Sequence, residues 1–248
     1  MNKIGFKNII KIFFLLIFLL IFFFNNFIDP TMFYQISIMK YLIKHGANIN
    51  KENEYGRTAF HYACKNGNEA VVKYLVKLGM NINKEDKYES TGFHYAWESG
   101  NESLVKYLIE LGVDINKEDK NDNTGIHCAC NYGNTVTVKY LVEHGADINK
   151  GYKNGKTPLH CTCHSVDKKR LSLVKYLVEL RVDINEEDKS GKTSLHFACE
   201  RENEPIVNYL VEERANMNKK DRCDKTPLDI AKEKNYKTIV NYLITKNY

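Results

Sequence analysis

The sequence predicts an all-α solenoid of short helical repeats that follows an N-terminal hydrophobic helix. First, the string T-x-x-H-x-A recurs at intervals of 33 residues, with one interval of 36, between Thr58 and Thr226. A fixed period of this length is typical of stacked repeats. Second, 9 of the 12 Phe lie within the first 33 residues. We therefore divide the chain into a hydrophobic segment (1–30), a partial repeat (31–50) and six repeats (51–248).

The hydrophobic segment has the length of a membrane-spanning helix. Only 3 of the 20 residues from Ile9 to Ile28 are polar, and a helix of this length spans about 30 Å. Basic residues lie before rather than after it, which predicts a cytosolic N-terminus. No small-x-small cleavage site follows, so an uncleaved signal anchor and a single-pass membrane protein are favoured. The alternatives are a cleaved signal peptide on a secreted protein, and a cytoplasmic protein in which the segment is a buried capping helix or a low-complexity start.

The residues of each repeat predict two short helices and a hairpin. Thr before a small residue or Pro, as at Thr157, supplies a capping hydroxyl for the first helix. A Gly-Asn pair such as Gly67-Asn68 ends that helix and caps the next. The second helix carries apolar residues at helical spacing, for example Val71 and Leu75, and a polar hairpin follows it.

This pattern resembles the ankyrin repeat, whose D-x-x-G-x-T-P-L-H-x-A-A string and later G-A-x-x-N string are matched almost whole at 153–185 and 189–218. The resemblance implies repeats that stack into one core. Three departures replace the turn Gly and predict looser hairpins at Glu89, Asp122 and Asp224. The fourth repeat carries three extra residues within Val166 to Leu171, which enlarge the turn between its helices.

The recurring His and Cys residues are assigned to the fold. The resemblance implies that the His of each string hydrogen-bonds the neighbouring turn. Residues two apart on a helix diverge, so the C-x-C pairs do not share a zinc ion. Equivalent positions in neighbouring repeats are about 8–10 Å apart, beyond the reach of a disulfide. We predict no enzyme, metal or cofactor, the one enzymatic alternative being a Cys–His site assembled across repeats. Four Cys occupy the second Ala position, where a small buried residue is needed: Cys64, Cys130, Cys163 and Cys199.

The charge and the thiols bear on partners and compartment. The net charge of +5 falls to about +3 once residues 1–30 are set aside, which gives little support for nucleic-acid binding. Free thiols favour a reducing compartment. The basic N-terminus, in contrast, places the repeats outside the cytosol.

The resemblance implies a protein–protein interaction scaffold whose partners dock on the concave face, without a small-molecule substrate. Outward positions are aromatic in the early repeats and basic in the later ones, which favours a partner with an apolar and an acidic portion. The alternative is that the Lys residues are solvated and offset by Glu98, Glu200 and Glu233. The predicted partner-binding residues are Tyr55, Arg57, Tyr88, Tyr132, Lys153, Lys156, Lys189, Lys192, Arg201, Arg222 and Lys225.

Overall fold

A computed structural model describes residues 30–152 and 154–246, and throughout this part of the chain the repeats fold as pairs of short helices. The prediction of an all-helical repeat fold is confirmed. The helices are α1 (Pro30–Lys44), α2 (Ala59–Lys65), α3 (Glu69–Lys77), α4 (Gly92–Ser99), α5 (Glu102–Glu110), α6 (Gly125–Tyr132), α7 (Thr135–Glu143), α8 (Pro158–Cys163), α9 (Leu171–Glu179), α10 (Ser194–Glu200), α11 (Glu204–Glu212), α12 (Pro227–Glu233) and α13 (Lys237–Lys246).

The chain divides into two units between Asp114 and Ile115. The N-terminal unit (residues 1–114) contains α1 and repeats 1 and 2, and the C-terminal unit (residues 115–248) contains repeats 3 to 6. In the N-terminal unit α1 packs on α3 and α2 packs on α4. In the C-terminal unit α6, α8, α10 and α12 pack in series, and so do α9, α11 and α13. A single two-helix repeat has too little apolar surface to be stable alone, so each repeat depends on its neighbours.

In four repeats the His of the string ties its first helix to the hairpin that follows. The Thr58 N–H donates to Nδ1 of His61 at 3.1 Å, so Nδ1 carries no proton. Nε2 therefore carries the proton and donates a hydrogen bond of 2.9 Å to the Lys84 carbonyl. His127, His160 and His196 repeat this bond at 2.7 to 3.2 Å. Burial lowers the pKa of these four His and keeps them neutral. The structural role implied by the resemblance is confirmed for these four His residues.

The second helices of repeats 1 to 3 begin with the predicted Asn caps. The Oδ1 atoms of Asn68, Asn101 and Asn134 each accept a backbone N–H from three residues further on, at 3.0 to 3.2 Å. Each cap satisfies a helix N–H group that has no partner within its own helix.

The prediction of looser hairpins at Glu89, Asp122 and Asp224 is wrong. All three residues adopt the left-handed conformation, with φ of 58° to 61°. Each turn closes with the same N–H to carbonyl bond, 2.9 to 3.0 Å long, as the Gly-containing turn at Gly191. The packing of the neighbouring repeats holds the backbone in place. A non-Gly residue therefore keeps the geometry of the turn, and its left-handed backbone conformation lowers stability.

A ladder of Lys and Tyr residues links successive second helices. The ammonium of Lys40 lies over the ring of Tyr74 at 5.8 Å, and that of Lys73 lies over Tyr107 at 5.0 Å. In the C-terminal unit Lys139 and Lys175 make the same contact with the Tyr of the next repeat. The recurring K-Y-L string therefore reflects cation–π contacts between adjacent repeats.

The extra residues of repeat 4 form a 3-10 turn at Lys168–Arg170. Arg170 extends from this turn to repeat 3, where Nη1 donates to the Cys130 carbonyl at 2.9 Å and Nη2 donates to the Asn131 carbonyl at 2.5 Å. The inserted Arg thus caps carbonyls near the end of α6.

The predicted membrane segment, residues 9–28, lies outside the described residues. In the part of the chain that the structure describes, no helix combines the length and the apolar character needed to cross a membrane.

Candidate partner-binding surface

Four of the predicted residues lie on the hairpins and first helices of repeats 1 to 3. Tyr55 and Tyr88 occupy the tips of successive hairpins and are 42% and 46% exposed. Their rings stack with 6.5 Å between centroids. Tyr132, at the end of α6, is 61% exposed. Exposed aromatic rings of this kind are common anchors in protein interfaces.

Arg57 holds the two hairpin Tyr rings in position. Its guanidinium carbon lies 5.4 Å from the ring centre of Tyr55 and 5.6 Å from that of Tyr88. The guanidinium Nε donates to the Asp86 carboxylate at 3.0 Å. Arg57 stays a predicted contact residue, and within the chain it also supports the two rings and forms an ion pair with Asp86.

Asp86 is the centre of this arrangement. Its carboxylate is fully shielded from solvent and also accepts a bond of 2.6 Å from the hydroxyl of Tyr95. Two backbone N–H groups of its own turn, those of Tyr88 and Ser90, donate to the other oxygen. Burial acts to raise the pKa of Asp86, but these bonds outweigh burial and hold the pKa below its usual value. The Arg57–Asp86 ion pair, fixed by these bonds, therefore holds the exposed Tyr pair in place.

Two of the predicted basic residues are neutralised within their own repeat. Lys192 forms an ion pair with Glu200 in repeat 5. Lys225 forms the equivalent pair with Glu233 in repeat 6, at 2.7 Å. The alternative interpretation, that acidic neighbours offset these Lys residues, is correct for this pair of positions. Glu98, in contrast, pairs with Lys65 rather than with a predicted residue.

Lys189 and Arg222 lie at successive hairpin tips and are not neutralised by an ion pair within the described residues. Their backbone N–H groups donate to the preceding hairpin, at Asn154 and Ser190, over 2.8 and 2.9 Å. Both side chains are exposed and, among the described residues, have no acidic partner. Lys153, the first predicted residue of repeat 4, lies outside the described residues.

Lys156 and Arg201 meet at a cluster that includes residues not predicted from the sequence. The ammonium of Lys156 lies 4.5 Å from the ring centre of Phe197. The ring of His164 contacts the same Phe197 at 5.2 Å, and its Nε2 accepts a bond from Arg201 Nη2 at 2.5 Å. Aligning the repeats by residue spacing would have identified His164, because it occupies the position of Glu200 and Glu233.

The four Cys at the second Ala position are buried, as predicted, with no exposed surface. Burial raises the pKa of Cys130 to about 12 and also raises the pKa of Cys64, Cys163 and Cys199. A thiol with a raised pKa is a poor nucleophile. All seven Cys are free thiols. Within residues 30–152 and 154–246, no group of three His, Cys, Asp or Glu side chains is placed to hold a metal ion.

Paired short helices, hairpins and a recurrent Thr–His cap define a helical repeat protein of the kind that generally mediates protein–protein contact. This chain belongs to the ankyrin-repeat family, whose model matches residues 31–119, 93–188 and 163–248. The fold is similar to that of the human ASB11 ankyrin repeat domain, with a TM-score of 0.75 and 24% identity. The similarity covers 87% of this chain and 94% of that one. No curated protein matches the sequence.

Proposed function

We propose that this chain is a non-catalytic scaffold that binds a protein partner through its hairpins and first helices. The observation that carries the proposal is the exposed pair Tyr55 and Tyr88, stacked on two successive hairpins and held by Arg57. Because these rings are positioned before a partner arrives, binding loses little side-chain entropy. Aromatic anchors on a rigid support match the composition of interface centres.

The partner offers apolar surface to the Tyr pair and acidic groups to the basic residues of the later repeats. Lys189 and Arg222 support the acidic part of this proposal, since both are exposed and neither forms an ion pair among the described residues. Lys192 and Lys225 contribute less, because each is already paired with a Glu. Charged groups at the edge of an interface mainly steer association and set its salt dependence.

A membrane tether at residues 9–28 completes the proposal. It rests on the apolar composition and the basic start of this segment. The alternative is a secreted or lumenal ankyrin-repeat protein released by signal cleavage. N-terminal sequencing of the mature protein separates the two, because the tethered form retains its Phe- and Leu-rich start and the released form does not.

Proximity labelling with the full chain in its own cells tests the scaffold function. We expect a reproducible set of neighbours that is lost when Tyr55 and Tyr88 are both changed to Ala. The matched control is Tyr41→Ala, which removes a Tyr of similar exposure, 55%, from α1 rather than from a hairpin. If the double variant and the control retain the same neighbours, the Tyr pair is not the binding surface. If the unmodified chain labels no protein above background, the scaffold function itself is wrong.

A further inference from the structure

An ion pair that recurs in the last repeats is incomplete in repeat 4. In repeats 5 and 6 the Lys that precedes the opening Thr pairs with a Glu eight residues later, Lys192 with Glu200 and Lys225 with Glu233. In repeat 4 the corresponding residues are Lys156 and His164. Lys156 has no acidic partner among the described residues. One position in this row of cations therefore lacks its carboxylate.

The residue in the Glu position carries no charge. Arg201 is always protonated, so it is the donor of its 2.5 Å bond to His164, and His164 Nε2 is the acceptor. His164 is therefore neutral. Its pKa is lowered to about 4 by burial and by the positive charges of Lys156, Arg201 and Lys192, whereas Glu200 acts in the opposite direction.

Positive charge is concentrated around one aromatic ring. The ammonium groups of Lys156 and Lys192 lie 4.5 and 5.9 Å from the centre of Phe197, and the His164 ring that accepts from Arg201 lies 5.2 Å from it. Lys192 is bonded to the Glu200 carboxylate and also interacts with Asp221 and Asp188, whereas Lys156 and Arg201 have no ion-pair partner among the described residues. Like charges this close repel each other, and an added carboxylate would relieve that repulsion.

We propose that Lys156 and Arg201 bind the carboxylate of an Asp or Glu side chain of the protein partner, which takes the place of the Glu missing from repeat 4. This inference rests on the proposed scaffold function and specifies the chemistry of the partner. The site is accessible, since Arg201 is exposed and Lys156 and His164 are partly exposed. Bonds between ionised groups are stronger than neutral ones, so the site gives specificity for an acidic segment.

His164→Glu is the decisive variant, because it supplies the missing carboxylate from within the chain. The probe is a fluorescein-labelled hexaglutamate peptide, with hexaglutamine as its neutral counterpart. Binding to the full chain in an uncharged detergent is followed by fluorescence anisotropy. We expect the unmodified chain to prefer hexaglutamate and His164→Glu to weaken that binding about tenfold. Lys156→Gln and Arg201→Gln should weaken it in the same direction.

Two controls separate this site from a generally basic surface. His164→Gln changes the same residue without adding charge, and Lys219→Gln removes a Lys that is paired with Glu187 and is not a predicted partner-binding residue. Both should stay within about twofold of the unmodified chain. Circular dichroism and a thermal melt verify that each variant is folded.

The inference is overturned if the chain shows no preference for hexaglutamate over hexaglutamine. It is also overturned if Lys219→Gln weakens binding as much as His164→Glu does. Either result leaves the scaffold function standing as long as proximity labelling still depends on Tyr55 and Tyr88, so the two proposals fail separately.

Discussion

Replacing Asp86 by Ala should destabilise the protein more than replacing Asp188 by Ala. The two residues are equivalent, since both are 6% exposed. Each carboxylate accepts two backbone N–H groups from its own turn. Asp86 additionally accepts bonds from Arg57 and Tyr95, at 3.0 and 2.6 Å. The difference between the two variants therefore isolates these two side-chain bonds.

The size of the difference follows from the chemistry of the bonds. A hydrogen bond to a charged group contributes about 1.5–3 kcal/mol. The side chain of Arg57 is 24% exposed, so water replaces part of what it loses when Asp86 is removed. We expect the free energy of unfolding to fall by about 2–4 kcal/mol more for Asp86→Ala than for Asp188→Ala. Asp86→Asn, which keeps an acceptor for the turn, should lie between them.

Urea unfolding of the full chain measures this difference. Far-UV circular dichroism follows both units, and the fluorescence of Trp97 follows the N-terminal unit, because Trp97 is the single Trp of the sequence and is buried in α4. The reasoning is refuted if the two Ala variants unfold within about 0.5 kcal/mol of each other.

Three further predictions follow from other parts of the fold. Gly92→Ala should lower the free energy of unfolding in urea by about 1–3 kcal/mol, because a Cβ there would lie 2.4 Å from the buried ring of Phe60; an unchanged midpoint would contradict this packing. Arg181→Gly should raise stability by about 0.5–1 kcal/mol, since Arg181 is held at a φ of 62°, and a lower melting temperature would argue against it. Stability should decrease as the pH falls below 6.5, because unfolding restores the ordinary pKa of the buried His residues and they then take up protons; equal urea midpoints at about pH 7.5 and 5.5 would contradict this linkage. The His residues concerned are His61, His127, His160 and His196.

Most of the fold could be predicted from local spacing. The His of four strings, the Asn caps of repeats 1 to 3 and the small Cys positions do in the structure what their place in the repeat indicates. The turn at Glu89 could not be predicted, because local preference disfavours a left-handed Glu and the backbone bonds of adjacent hairpins overrule that preference. Tyr152 is a similar case: it replaces the turn Asp of repeat 4 and packs instead against His127, with 5.0 Å between ring centroids.

The candidate surface was less predictable than the fold. An outward position identifies Arg57 and Lys192 as candidates, but it does not reveal that Asp86 and Glu200 already neutralise them. The sequence by itself determined the repeat period, the family, the caps and the buried thiols, because these depend on residues within a few positions of each other. Only the tertiary structure decided which charges are left without a partner, because ion pairs and ring contacts join residues that are distant in the chain. Lys156, His164 and Arg201 come together in this way when repeats 4 and 5 pack.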